Sequence, residues 1–286
     1  MLKQVNWSAD RSYRTGTEDE PLQFYFEGLC NSNKLDILLG YFSSAAINVL
    51  SLGFASFLYN GGVVRMVVNN ILSEQDKDAI KAARDGNIDK NLLDLSDIKK
   101  LKRTLDEYSN HFFECLAWLI ANKKIEIVII RPKGGNGIAH YKSGSFSDGI
   151  DTVGFKASCN FTAYGLLENL EELDVHLVWE DESSSRRINS QNQVFSTIFS
   201  GDADFAEYLD VEDISVAIKD EFGGKTENEL IIQEKELMEK KLDRLNNKHT
   251  RKTYDKVIAH IEEIIREPRF PYSKGPRPYQ LEAYQN

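Results

Sequence analysis

Cysteine is scarce in this chain. Three occur, Cys30, Cys115 and Cys159, and no two form a CxxC pair, so a disulfide framework is excluded. Cys30 and Cys115 fall in apolar helical patterns, which suits packing in a reducing compartment. Long apolar runs are missing too: none approaches the ~20 residues needed to cross a bilayer. Met1–Arg14 is polar and lacks the basic-then-apolar layout of a leader, so the expectation is a cytoplasmic protein with no membrane partner. There is no GxxxxGK[ST] phosphate loop, so no ATPase is expected of these residues. No dense Asp/Glu/His ligand cluster is evident either, and neither a metal nor a cofactor is expected. No internal repeat or low-complexity tract occurs. A net charge of -10 argues against a non-specific coat on nucleic acid, because phosphate binding needs concentrated positive charge. It leaves room for a local basic cleft. Lys99, Lys100, Lys102, Arg103, Arg131, Lys133, Arg186 and Arg187 are the candidate contributors, each of which also reads as a solvated surface charge.

What is present reads as an α/β protein of 286 residues, long enough for one large domain or two modest ones. Leu22–Cys30 has helical spacing. Leu35–Phe42 follows as a continuous apolar run, the pattern of a strand covered on both faces. Ser43 and Ser44 can cap a helix over Ala45–Tyr59, which Gly61 and Gly62 stop. Val63–Val68 is a second strand, and Ser73 with Asp76 resembles a capping box. Leu105, Tyr108, Phe112, Cys115, Leu116 and Leu119 make a helical stripe leading into the strand Ile125–Ile130. After the glycine-rich loop RPKGGNGI, shorter strands are expected over Ala139–Phe146, Thr152–Lys156 and Leu173–Trp179, then a polar helix over Ser183–Phe199. Beyond Gly223 and Gly224 the chain becomes dense in Glu and Lys with intermittent Leu, Ile and Met. Without a clean heptad, this reads as a helical arm that Pro268 and Pro271 end.

The chemistry gathers in the middle. His140 and Lys142 stand two apart on an expected strand, so both project from one face. An imidazole there can attack phosphorus while the ammonium neutralises a non-bridging oxygen. After one short strand, Ser158-Cys159-Asn160 again puts two polar side chains on one face. The same triplet also reads as the cap of a helix beginning near Phe161. Glu171 follows, a carboxylate able to fix a histidine's tautomer, or simply a solvated charge.

Taken together, HYKSGSFSDG, FKASCNFT and ENLEELDV resemble the HKD motif of the phospholipase D superfamily: HxK, an Asp, GSxN, then a Glu. With LDILLGYFSS and IEIVIIRPKGGNGIAHYK, the resemblance covers roughly residues 20 to 180. By resemblance, His140 is the nucleophile, Lys142 and Asn160 bind phosphate oxygens, Ser158 positions them, and Glu171 orients the histidine. Two positions depart from the family: Asp148 comes one residue later than usual, which leaves its role open, and Ala157 replaces a glycine. The motif is similar to that of nuclease domains in restriction and defence enzymes that precede a helicase. The implied fold is a phospholipase-D-like mixed sheet flanked by helices, followed by the helical C-terminal arm. The implied activity is metal-independent cleavage of nucleic acid, with DNA as the expected partner, through a phosphohistidine. Because the family builds one site from two motif copies and this chain has one, a homodimer is implied.

Gly275–Tyr284 (GPRPYQLEAY) resembles the entry segment of superfamily 2 helicases, in which the glutamine reads adenine; Gln280 takes that place here. The expected organisation is therefore a nuclease domain over residues 1–200, an arm over 201–266, and over 267–286 the start of a helicase domain carried by a longer protein. Two alternatives stand beside the nuclease: a catalytically silent module of the same fold that binds DNA or a partner, and a lipid phosphodiesterase.

Overall fold

The computed structural model describes residues 1–39, 53–69, 98–103, 105, 107–134, 141–157, 172–209, 211–242 and 248–266. The strands are β1 (Ser12–Arg14), β2 (Lys34–Leu39), β3 (Val63–Asn69), β4 (Ile125–Pro132), β5 (Lys142–Ser147), β6 (Thr152–Ala157), β7 (Glu172–Leu177) and β8 (Ala206–Leu209). The described helices are α1 (Pro21–Cys30), α2 (Phe54–Tyr59), α3 (Ile98–Lys102), α4 (Glu107–Ala121), α5 (Glu182–Phe199), α6 (Glu212–Phe222), α7 (Glu227–Leu242) and α8 (Lys248–Arg266). Among the described residues, no helix is long and apolar enough to cross a membrane.

The described strands make one eight-stranded sheet in the order β1-β7-β6-β5-β2-β3-β4-β8. β2, β3 and β4 run parallel, and every other neighbouring pair is antiparallel. The fold class is therefore α/β with a mixed sheet flanked by helices, as the alternation of apolar strands and amphipathic helices implied.

Side-chain alternation divides the sheet into two buried faces. Leu35, Ile37 and Leu39 of β2, Val64, Met66 and Val68 of β3, and Val153 and Phe155 of β6 point into the larger core. There Phe24 of α1 sits within 5.2–5.8 Å, centroid to centroid, of Trp7, Tyr13, Tyr25, Phe146 and Phe155. Gly28 permits this approach, since a Cβ at that position would overlap the Phe146 ring. The opposite face is covered by α5. Its N-terminus is set by Asp181, whose carboxylate accepts from the Ser184 backbone N–H at 2.8 Å. Gly154 of β6 lies beneath Ile188, where a Cβ would stand 3.0 Å from Cγ1. Farther along, Asp36 is held by Arg65, whose guanidinium lies 5.0 and 5.1 Å from the ring centres of Phe195 and Phe199. That contact ties α5 to β2 and β3.

The segment expected to form an arm contributes to the main body. Ile218 and Phe222 of α6 enter the larger core, with Phe222 stacked on Phe113 at 5.0 Å. Ile231 and Met238 of α7 and Tyr254 and Ile261 of α8 close over Leu22 and Phe26 of α1. Polar ties join α7 and the residues before it to α4: Lys225 to Glu114 at 2.8 Å, Lys240 to Glu107 at 2.9 Å, and buried His111 to Glu234 at 3.6 Å.

Several expectations end earlier or later than the periodicity suggested. β4 runs on through Arg131 and Pro132 because β8 pairs with them. β1 and β8 were not expected at all, and α6 was expected only as part of the arm over 201–266. β1 has three residues and β8 four, too few to show an alternation, and both are held by a neighbouring strand at a sheet edge. Of the helix expected over Ala45–Tyr59, only Phe54–Tyr59 is described; the capping box at Ser73 and the segment 267–286 with Gln280 lie outside the described residues.

Candidate functional site

The parallel strands β2, β3 and β4 bring their C-terminal ends to one end of the sheet. Antiparallel β5 starts there, β6 finishes there, and β7 starts there again. The register makes this concrete: Leu39, the last residue of β2, is opposite Lys142, the first of β5. Ser143 is opposite Lys156, and Ala157, the last of β6, is opposite Leu173. The described neighbours of the motif, Lys142 after His140, Ala157 before Ser158 and Glu172 after Glu171, thus stand on three adjacent strands at one sheet end. His140, Ser158, Asn160 and Glu171 themselves lie outside the described residues. Strand C-terminal ends next to a change of strand direction are where open α/β sheets bind ligands.

A cleft of about 1200 Å³ opens at this end, on the α5 side. Lys142 and Ser143 form one wall with Lys156 and Ala157, and Asp174 and His176 of β7 continue its floor. The other wall is a stripe of α5 at helical spacing: Ser183, Arg187, Ser190, Gln191 and Val194. Gln191 anchors that wall by donating to the carbonyl oxygen of Gly144 at 2.6 Å, and Ser145 donates to Asn192 at 3.0 Å.

Most of the carboxylates around the cleft are engaged. Glu180 accepts from Arg11 at 2.8 Å, Asp181 caps α5, and Asp10 accepts from the Ser8 hydroxyl at 2.7 Å. Among the described residues, Lys156 and Arg187 make no ion pair with a carboxylate. Both are exposed to the cleft. Arg187 Nη1 instead lies 3.5 Å from Nε2 of His176. Burial pushes the His176 imidazole below its ordinary range; the nearby Arg187 and Lys156 cations act in the same direction, and Asp174 and Glu180 oppose them.

The residues predicted from sequence separate accordingly. Lys142, Arg186 and Arg187 line the cleft. Arg131 and Lys133 lie beyond β2 and β3 at the β4–β8 margin, where Arg131 is paired with Glu207 at 2.5 Å and the Lys133 N–H donates to Phe205. They do not line the cleft. Asp148, left as a possible site residue, follows β5 and so sits at the opposite end of that strand from Lys142, some ~20 Å away for six residues of strand. Its carboxylate accepts from the backbone N–H groups of Leu2, Ile150 and Asp151 at 2.8, 3.0 and 2.8 Å. The place of Asp148 is thus a turn that ties down the chain start.

Burial pushes the Asp148 carboxyl up, but those N–H groups outweigh it and hold it below the usual carboxylate range. A depressed folded-state value means a stability contribution that is present above the unfolded value, near 3.9, and lost as pH falls through the folded one. Asp148→Ala is expected to cost about 1 kcal/mol, measured by urea unfolding at neutral pH, and to leave any phosphodiesterase activity unchanged. A large activity loss without a stability change would place Asp148 in the site after all.

Sequence reasoning passed over Lys156 and His176. The usable signal was alternation: His176 is two residues after Asp174, so the two share a face of β7 in the cleft, and Lys156 is two after Gly154 on β6.

No family model matches this chain, and no curated protein does. Among solved structures it is similar to NucT from Helicobacter pylori, with 13% identity and a TM-score of 0.39 over 65% of this chain and 93% of that one. It is also similar to phosphatidylserine synthase from Haemophilus influenzae, with 15% identity and a TM-score of 0.39 over 73% and 44%. A third is Nuc from Salmonella typhimurium, a phospholipase D family member, at 10% identity and a TM-score of 0.38 over 69% and 95%. The match thus spans less than half of the phosphatidylserine synthase. At these identities and scores the likenesses assign neither an activity nor site residues.

Proposed function

We propose that this chain is a phosphodiesterase that cleaves nucleic acid, with His140 as nucleophile and Lys142 as the cation that receives charge developing on phosphorus. The observation that carries the reading is the meeting of the described neighbours of all three motif segments at one sheet end, beside a cleft lined by Lys142, Lys156, Arg186 and Arg187. Of the carboxylates that share this cleft, Asp10, Glu180 and Asp181 are engaged by neighbouring groups, which supports a place for an anion beside Lys142, Lys156 and Arg187.

In this reading a ring nitrogen of His140 attacks phosphorus, the P–O bond to the leaving alcohol breaks, and a phosphohistidine remains. The copy of His140 in a second protomer gives its proton to the leaving oxygen, then takes one from the water that cleaves the P–N bond. Lys142 and Asn160 hold the non-bridging oxygens, Ser158 positions them, and Glu171 orients the imidazole. DNA is the proposed substrate, with a helicase domain in a longer protein as the proposed neighbour.

The test is cleavage of single- and double-stranded DNA by purified protein in excess EDTA, alongside sedimentation across a dilution series. EDTA-resistant cleavage whose specific rate falls as the dimer dissociates is the expected result. A monomer that cleaves at full rate rules out the shared site, and DNA binding without cleavage favours the silent module.

A further inference from the structure

Beyond the reacting centre, the cleft continues along β7 and α5 to a group of side chains with no part in the proposed chemistry. Lys156 of β6 and His176 of β7 share the α5 face of the sheet, one strand apart: the register pairs Lys156 with Asp174 and Gly154 with His176. Arg187 descends from α5 to within 3.5 Å of the His176 ring. Glu180 could have neutralised this group, but it is occupied by Arg11 at 2.8 Å, and Asp181 is occupied by the α5 cap. A neutral imidazole can accept from the guanidinium; once protonated, His176 is repelled by Arg187 and Lys156, and an anion entering among the three relieves that repulsion. It sits next to the first residues of β5, on the same cleft as Lys142.

We propose that Lys156, His176 and Arg187 form a second phosphate-binding subsite, which holds a phosphate of the strand next to the one being cleaved. This rests on the phosphodiesterase reading for its neighbour but not for its existence, because the ligand chemistry is that of any phosphate oxyanion. Arg187 supplies a planar fork of N–H donors, Lys156 a point charge, and His176 a further donor once protonated. The groups facing His176 are Arg187 from α5, Lys156 from β6, Asp174 on its own strand and Glu180 from the following turn. A phosphate placed among them reverses the repulsion from Arg187 and Lys156 and favours the imidazolium, so binding strengthens as pH falls through the His176 titration. A subsite on the same cleft as Lys142 selects a polyphosphodiester over a substrate with a single phosphate.

The experiment follows the His176 ring by NMR titration in ¹⁵N-histidine-labelled full-length protein, with the signal among the five histidines assigned by its loss in His176→Asn. Two probes are used: inorganic phosphate with the wild-type protein, and an oligothymidylate of eight nucleotides with His140→Gln, which has no nucleophile. Both should move the His176 titration upward. In the Lys156→Ala/Arg187→Ala double variant the resting titration should already lie higher and respond to neither probe. Oligothymidylate affinity should drop roughly 10-fold or more, and the slope of log K against log salt should lessen by about 1.4, near 0.7 for each lost contact. If phosphate moves His176 and the oligonucleotide does not, the subsite stands and the nucleic-acid reading falls. If neither probe moves it, the subsite is overturned, while EDTA-resistant cleavage remains an independent measure of the phosphodiesterase reading.

Discussion

Replacing His140 with alanine should lower phosphodiester cleavage by about four orders of magnitude or more, because under the proposed mechanism it removes the covalent nucleophile and leaves only binding and charge stabilisation. Single-turnover cleavage of a labelled oligonucleotide in EDTA reads this directly. In the proposed mechanism two histidine copies are used, one unprotonated to attack and one protonated to release the leaving oxygen. The wild-type rate should therefore be bell-shaped in pH, with limbs that belong to the pair and not to either ring. Lys142→Ala should lose less than His140→Ala, and the double variant should lose little more than His140→Ala alone, since the two act as a unit. A His140→Ala protein that cuts at the wild-type rate would end the proposal. Unfolding curves of the variant set beside the wild type separate lost chemistry from lost structure.

The largest effect on stability is expected at Phe24, far from any charge. It is completely buried and surrounded by five aromatic rings drawn from the chain start, α1, β5 and β6. Phe24→Ala removes the ring on which those elements converge and leaves a cavity that rigid neighbours cannot fill. A loss of about 3–5 kcal/mol is expected, which lowers the unfolding midpoint by on the order of 10 °C in a domain of this size. Phe24→Leu, which keeps most of the volume, should lose far less. The comparison is made by calorimetry or by chemical unfolding. Equal losses for the two variants would mean that the ring itself, and not the volume it fills, carries the stability.

The core strands were legible because their pattern is local. LDILL, VVRMVV and IEIVII are apolar runs each broken by a single charge, and a strand with both faces largely covered can be read from about six residues alone. The helix stripe through Phe112, Cys115, Leu116 and Leu119 was legible for the same reason, and all four residues are buried. The spacing of His140 and Lys142, and of Ser158 and Asn160, is local too, which is why a candidate chemistry could be named before any fold was known.

What sequence by itself determined is therefore the central strands and most helices, the α/β class and the residues with chemistry to offer. Only the tertiary structure decided which strand ends meet. It put the starts of β5 and β7 and the end of β6 side by side, sent Asp148 to the far end of the sheet, and retained Arg131 at the β4–β8 margin. It also drew Lys156, His176 and Arg187 together from two strands and a helix, and folded the apparent C-terminal arm onto α1 and α4. The physical reason is the same throughout. Periodicity is written in neighbours along the chain, whereas strand order, charge pairing and cleft walls depend on contacts between residues far apart in sequence, which no window of the sequence contains.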